Sequence, residues 1–293
     1  MHRRMPEAPA ANRSCEESLM GYGVDSHCHV LDPGAFPFSP DAAYRPPPHE
    51  AGTGAQLAAV LDAHELSHAL LVTPTGGYVY DNRCMVAAIE ASKGRFRGIA
   101  RVRPDVDARV LEELAAAGVI GIRLDLITDG VGLMHHAALP RLFDHVRNLA
   151  WQIHVQCEGN QLHDCLGTLR AARIPLVFDH CGRPDAAGGI EQPGFAALLE
   201  MGREGHAVKL SGPFRYSRQP APYPDAEPFV RALIESFTPA HCVWGSDWPF
   251  LRMQSRMDYG PALACLARWF PDAADRRKAL WDNPARLFGF ASA

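Results

Sequence analysis

Apolar and polar positions along this chain follow two alternating rhythms. Short runs dense in Val, Ile, Leu and Ala fall at 23–29, 68–73, 96–102, 120–126, 151–157, 176–180, 207–211 and 242–247. Runs of that length and composition read as buried strands. Between them, 53–65, 82–92, 107–117, 140–150, 161–172, 195–203, 227–237 and 260–270 carry apolar residues at helical spacing. Asp81 stands where it can cap the second of these helices, and Asp105 where it can cap the third. Residues 272–290 read as a closing helix ending in Asn283-Pro284-Ala285-Arg286-Leu287-Phe288-Gly289.

Strands that each lead into a helix predict an α/β fold, a closed (β/α)8 TIM barrel formed as a single domain. An open doubly wound sheet is the competing arrangement. It favours a Gly-rich phosphate turn after the first strand, and Asp32-Pro33-Gly34-Ala35 is not one. The 293 residues suit one barrel of about 250 residues plus a tail. The expected division is a flexible tail over 1–21 and a catalytic barrel over 22–293. The tail is polar and lacks the apolar core of a secretory signal. The connection from Leu31 to Thr53 is long and rich in proline, which marks either a functional loop or a surface excursion.

Bulk properties narrow the partners. Apolar residues make up 47% of the chain, enough for a large core, and the net charge of −4 gives no reason to expect nucleic acid. No apolar run reaches the roughly 18 residues of a membrane span. The cysteines at 15, 28, 84, 157, 165, 181, 242 and 265 form no Cys-x-x-Cys pair. They read as reduced core thiols of a cytoplasmic protein. Nothing in the pattern sets an oligomeric state.

The first strand carries the strongest chemical signal, Val24-Asp25-Ser26-His27-Cys28-His29-Val30. Strand alternation puts His27 and His29 on one face, with Asp25 on that face too. The sixth strand ends in His180 and the eighth in Asp247. Barrel enzymes build their sites at the C-terminal ends of strands, so these four residues converge at one mouth. A carboxylate among imidazoles is a candidate general base for water, and imidazoles polarise a carbonyl or bind a divalent metal. The competing reading for each alone is structural: a satisfied buried histidine, or an aspartate capping a turn.

Arg123, Arg183 and Arg215 follow or lie in strands four, six and seven. Aimed at one pocket, they imply an anionic substrate; otherwise they pair with Asp125, Asp179 or Asp185. Lys209 points either inward as a base or outward as a surface charge, and parity ties Ser211 to it. In strand five Gln156 lies nearest the mouth and His154 one layer deeper, unless the strand ends early. Thr75, in the turn Thr73-Pro74-Thr75-Gly76-Gly77, either helps hold a carboxylate or belongs to a plain turn.

Asp25-Ser26-His27-Cys28-His29, Asp179-His180-Cys181-Gly182-Arg183-Pro184, Trp244-Gly245-Ser246-Asp247-Trp248-Pro249 and the terminal Asn283-Pro284-Ala285-Arg286-Leu287-Phe288 occur in chain order. Together they resemble the amidohydrolase-related family of the amidohydrolase superfamily, above all its 2-pyrone-4,6-dicarboxylate lactonase-like hydrolases. The resemblance implies a distorted (β/α)8 barrel that opens a small carboxylated lactone of pyrone or muconolactone type, in the breakdown of aromatic compounds. It implies Asp247 as the base with His27, His29 and His180 around it. Arg123, Arg183 and Arg215, with Thr75 and Gln156, are then the substrate-binding set. The cofactor is either none or one divalent metal, zinc or manganese, on His27, His29, His180 and Asp247. The alternative is a metal-dependent decarboxylase of a small unsaturated acid, with a strand-five histidine as ligand. One departure stands out: the lactonases carry a further basic residue soon after the strand-four arginine, where this chain has Leu126-Ile127-Thr128-Asp129-Gly130.

Overall fold

A computed structural model of the chain describes residues 23–291. The expected tail lies outside the described residues. Strands β1 (Val24–Cys28), β2 (His68–Val72), β3 (Phe96–Ala100), β4 (Val119–Asp125), β5 (Gln152–Gln156), β6 (Leu176–Phe178), β7 (Ala207–Ser211) and β8 (Cys242–Gly245) form one sheet in chain order. All adjacent pairs are parallel. Just past β8 the chain returns to β1: Asp247 N donates to His27 O at 2.8 Å and His29 N to Trp248 O at 2.8 Å. The sheet therefore curls into a nearly closed barrel, and the open doubly wound alternative is excluded.

Helices α1 (Gly54–Ala63), α2 (Arg83–Ala91), α3 (Ala108–Ala116), α4 (Leu139–Asn148), α5 (Gln161–Ala172), α6 (Pro193–Arg203), α7 (Glu227–Phe237) and α8 (Tyr259–Trp269) link or follow the strands. Local chemistry starts several of them. Thr53 and Gln56 form a reciprocal capping box on α1. Asp81 accepts from Arg83 N at the start of α2. The cap of α3 is Asp107, whose side chain accepts from Arg109 N, and not Asp105. The helix simply begins one turn-start later than the aspartate first in line.

The barrel has two cores. Leu57, Leu111, Leu142, Leu169, Leu198 and Leu233 pack helices against the outside of the sheet. A separate cluster of Val24, Leu70, Ile99, Val177, Ala207 and Val243 fills the interior, joined by Trp281, Phe288 and Phe290. The closing segment supplies those aromatics, and it is not one helix. It runs as α9 (Ala273–Arg277), a π-helical turn Lys278–Asp282, and α10 (Asn283–Phe288). Gln152, at the start of β5, donates to Leu287 O at 3.0 Å, so this segment seals the N-terminal end of the barrel. The opposite end is left free for chemistry. Among the described residues no helix is long and apolar enough to cross a membrane, and the seven described cysteines are free and buried.

Candidate active site

At the C-terminal end of the strands lies a cavity of about 590 Å³. Its wall includes His29, His180, Asp247, Arg123, Arg183, Arg215, Thr75 and Gln156. Every polar residue expected at the mouth lines it except His27, which sits just beneath with its Nε2 turned toward Asp247.

Asp247 is the meeting point. Its Oδ1 lies 3.3 Å from His29 Nε2, 3.7 Å from His180 Nε2 and 3.8 Å from His27 Nε2. Its Oδ2 accepts from Arg215, with Nε at 2.7 Å and Nη2 at 2.6 Å. One carboxylate oxygen is thus clamped by a guanidinium and the other faces three imidazoles. Both Asp247 (φ 64°) and His180 (φ 50°) hold left-handed backbone. Such geometry costs about 1–3 kcal/mol in a residue with a side chain and concentrates at functional sites. Here it turns each side chain back over the barrel mouth, immediately beyond the end of its strand.

Further contacts fix the imidazoles. His29 Nδ1 faces Val72 O at 2.7 Å. A carbonyl only accepts, so His29 carries a proton on Nδ1. His180 Nδ1 lies 2.9 Å from Ser211 Oγ. His27 Nδ1 lies 3.3 Å from Asp179 Oδ1 and 3.0 Å from Lys209 Nζ. Lys209 and Ser211 share the inward face of β7, as parity required, and both are buried.

Asp179 anchors a second, deeper layer. Its carboxylate meets Lys209 Nζ at 3.0 Å, Arg123 Nε at 2.9 Å and His154 Nδ1 at 3.9 Å. Burial by itself raises this carboxyl, but the Lys209 ammonium and other positive neighbours hold it well below the usual carboxylate range. Asp247 follows the same logic, with Arg215 and then His180 and His29 outweighing burial. Burial, reinforced by Lys209, pushes His27 and His154 down. Burial pushes His180 down to about 3. Carboxylates stay ionised and His27, His154 and His180 stay neutral through the neutral range.

One expectation about facing needs correction. Asp25 does not join His27 and His29. The β1–β2 register shifts between Asp25 and Cys28, which breaks the simple alternation. The Asp25 carboxylate instead binds Ser246 N at 2.9 Å, Ser246 Oγ and Tyr259 OH of α8 at 2.9 Å. It pins β1 to the loop that carries Asp247. His154 lies one layer deeper, as expected: it is fully buried, absent from the cavity wall, and 6.0 Å between rings from Phe288. Gln156 takes the mouth position, so the strand-five histidine that the decarboxylase alternative needs does not reach the cavity.

The arginines answer both readings at once. Arg123 pairs with Asp179, Arg183 with Glu158 at 3.2 Å and Arg215 with Asp247, yet all three line the cavity. Asp185 pairs with Arg218 instead of Arg183. Thr75 Oγ1 donates to Asp125 while still facing the cavity. Sequence reading treated Asp179 only as a possible ion-pair partner and missed its central place. The available signal was a lysine and an aspartate inside otherwise apolar strands, since buried charges occur where they are paired.

His27, His29 and Asp247 offer one ligand atom each within 4.8 Å of one another, all buried. His27 Nε2 has no hydrogen-bond partner, and two imidazole nitrogens with a carboxylate oxygen suit a divalent transition ion. The residues present fit such an ion, with His180 Nε2 beside them.

A family model described as amidohydrolase matches residues 24–290. A 2-pyrone-4,6-dicarboxylate hydrolase from Comamonas testosteroni is 32% identical over 277 residues, 90% of this chain and 89% of that protein. A 4-sulfomuconolactone hydrolase from Hydrogenophaga intermedia is 32% identical over 273 residues, 90% of this chain and 88% of that protein. The crystal structure of a "probable 2-pyrone-4,6-dicarboxylic acid hydrolase" from Acinetobacter baumannii, with citric acid bound, superposes with a TM-score of 0.84 at 28% identity. The superposition covers 92% of this chain and 99% of that one.

Proposed function

This chain belongs to the amidohydrolase family, and from that premise we propose an enzyme that opens small carboxylated lactones by attack of water. The observation that carries the reading is Asp247: one oxygen held by Arg215, the other at the junction of three imidazoles, open to a cavity walled by arginines. The substrates named for its relatives, a pyrone dicarboxylate and a sulfonated muconolactone, are anionic rings of the kind that such a wall attracts.

Asp247 Oδ1 takes a proton from water as the water oxygen bonds to the lactone carbonyl carbon. His180 and His27 lie where charge develops on the carbonyl oxygen, and polarise it. The ring C–O bond breaks, and the proton on Asp247 passes to the departing oxygen. The product is the open hydroxy acid or its enol, with water consumed and the carboxylate restored. Arg123 and Arg183 orient the substrate carboxylate, Thr75 and Gln156 supply neutral hydrogen bonds, and Arg215 keeps Asp247 ionised. Were a zinc or manganese ion present, His27, His29 and Asp247 would hold it, with His180 adjacent, and it would supply Lewis acidity.

The test is a hydrolysis screen over pyrone- and muconolactone-type carboxylates, with and without added Zn²⁺ or Mn²⁺, in wild type and Asp247→Asn. Turnover in wild type and a loss of about 10²-fold or more in the variant are expected. A folded wild type that opens none of these rings, or a variant that keeps most of the rate, rejects the proposal. Carbon dioxide release from unsaturated acids would transfer the site to decarboxylation.

A further inference from the structure

The arginines of the cavity wall differ in what balances them. Arg123 pairs with Asp179 and Arg215 with Asp247, and both of those carboxylates are buried. Arg252 stacks over the Tyr44 ring, 4.4 Å from its centroid, and has no carboxylate within ion-pair distance among the described residues. Arg183 meets Glu158 Oε2 at 3.2 Å, and the Glu158 side chain is 46% exposed. Two acids stand on the wall, Asp247 and Glu158. Asp247 is the base, and the mechanism makes no use of Glu158.

Exposure decides which pairs can exchange. Removing one partner of a buried pair leaves a bare charge out of reach of water, so Asp179 and Asp247 stay with their arginines. A half-exposed carboxylate that lets go of an arginine is solvated at little cost. Glu158 is held only through its backbone. Its N–H donates to Gln161 Oε1 at 3.0 Å, its carbonyl accepts from Gln161 N at 3.2 Å, and Gly159 N donates to Arg183 O at 3.1 Å. The side chain thus swings from a turn that is tied to the residue it neutralises. Its contact runs through Arg183 Nη2, while Arg183 Nε has no hydrogen-bond partner. The two-point grip that joins Asp247 to Arg215 is missing here.

The chemistry gives such a carboxylate a task. Opening a lactone turns an uncharged ester into a carboxylic acid, which loses its proton to water at neutral pH. The product is therefore one unit more negative than the substrate. Coulomb attraction grows with ligand charge, so an arginine wall that draws in the closed ring holds the opened one more strongly. A carboxylate on the same wall offsets part of that hold, and offsets more of it for the product.

We propose that Glu158 is a product-release residue: it yields Arg183 to the incoming substrate and competes for it again once the ring has opened. It acts through Arg183 and takes no part in bond making. The inference rests on the lactonase reading for its meaning.

The experiment measures binding without turnover. Two probes are titrated calorimetrically at pH 7.5 into wild type, Glu158→Gln and Glu158→Asp. Cyclopentanecarboxylate stands for the closed ring, and 2-hydroxyglutarate, with one carboxylate more, for an opened one. Glu158→Gln binds 2-hydroxyglutarate about three- to fivefold tighter than wild type, the reach of one exposed ion pair. Cyclopentanecarboxylate gains less, added salt narrows the difference, and Glu158→Asp, which keeps the charge, stays near wild type. A glutamine variant that binds 2-hydroxyglutarate no tighter than wild type overturns the proposal, since Glu158 would then only hold Arg183 in place. Equal tightening of both probes overturns it as well. The carboxylate is half exposed and the backbone bonds of the turn survive substitution, so the variants fold. Failure of the hydrolysis screen with this charge-graded tightening intact would reject the lactonase reading and leave Glu158 as the exchangeable counterion of Arg183.

Discussion

Lys209 Nζ stands 3.0 Å from His27 Nδ1 and 3.0 Å from Asp179 Oδ1, fully buried beneath the mouth of the barrel. An ammonium has hydrogens and no lone pair, so beside Lys209 the His27 Nδ1 accepts and the ring proton lies on Nε2. His29 is the opposite case, because Val72 O requires its proton on Nδ1. Two histidines two residues apart thus offer unlike atoms to the same carboxylate. In metal-free protein, ¹⁵N NMR will show His27 as the Nε2–H form and a proton on His29 Nδ1. A shared Nδ1–H form would contradict this. Lys209→Met frees Nδ1 to donate to Asp179 and turns the Nε2 lone pair toward Asp247, so this variant binds Zn²⁺ more tightly than wild type.

Arg215 is the largest of the influences that outweigh burial at Asp247. The base must be ionised to take a proton, so the acidic limb of kcat/KM follows the Asp247 pKa. Removing the guanidinium raises that pKa. Arg215→Gln is expected to move the acidic limb up by about one to three pH units, the usual effect of one adjacent arginine on a carboxylate. Arg215→Lys retains part of the shift because it keeps the charge and loses the two-point contact. A limb that stays in place in the glutamine variant would show that another group sets it.

Stability should fall on acidification, beginning near pH 6.5. His27, His154 and His180 are held neutral in the folded chain, His180 down to about 3. Unfolded histidines take up protons below about 6.5, so the unfolded state binds more protons and gains on the folded one as pH drops. Each such group contributes up to about 1.4 kcal/mol per pH unit. Asp179 and Asp247, both depressed, add loss of the same sign below about 3.9. Urea midpoints at pH 7.5 and 5.5 check this, with the lower value at 5.5. Equal midpoints would contradict the neutral state of these rings.

Gly245 ends β8 where it crosses β1. A Cβ there meets His27 Cβ at 2.7 Å and His27 N at 2.8 Å. The obstacle is backbone, which cannot swing aside. Gly245→Ala is expected to cost about 1–3 kcal/mol and to move His27 away from Asp247, lowering both the melting temperature and kcat. Unchanged kcat with a lowered melting temperature would separate closure of the barrel from placement of the imidazole.

The repeating strand and helix pattern was plain in the chain because each barrel strand is buried on both faces and each helix on one. The mouth residues were plain for a related reason. Strand ends in a parallel barrel share one rim, so His29, His180 and Asp247 could be placed together from spacing, whereas spacing left Arg123 and Arg215 open between the pocket and structural ion pairs. Asp25 could not, since a register shift in β1 undoes the alternation that spacing assumes. Arg252 was also out of reach, because its partner Tyr44 lies in an irregular loop that has no period to follow.

The amino-acid order by itself determined the barrel, the rim, and the identity of the carboxylate and imidazoles that meet there. These follow from local burial patterns and from the rule that all strands point one way. Only the folded chain decided which charges are already neutralised. Asp179 takes Lys209 and Arg123, Asp247 takes Arg215, and Arg252 is left without a carboxylate. Ion pairing depends on distances between side chains far apart in the chain, and Coulomb energy at a few ångströms is set by packing that no linear pattern encodes.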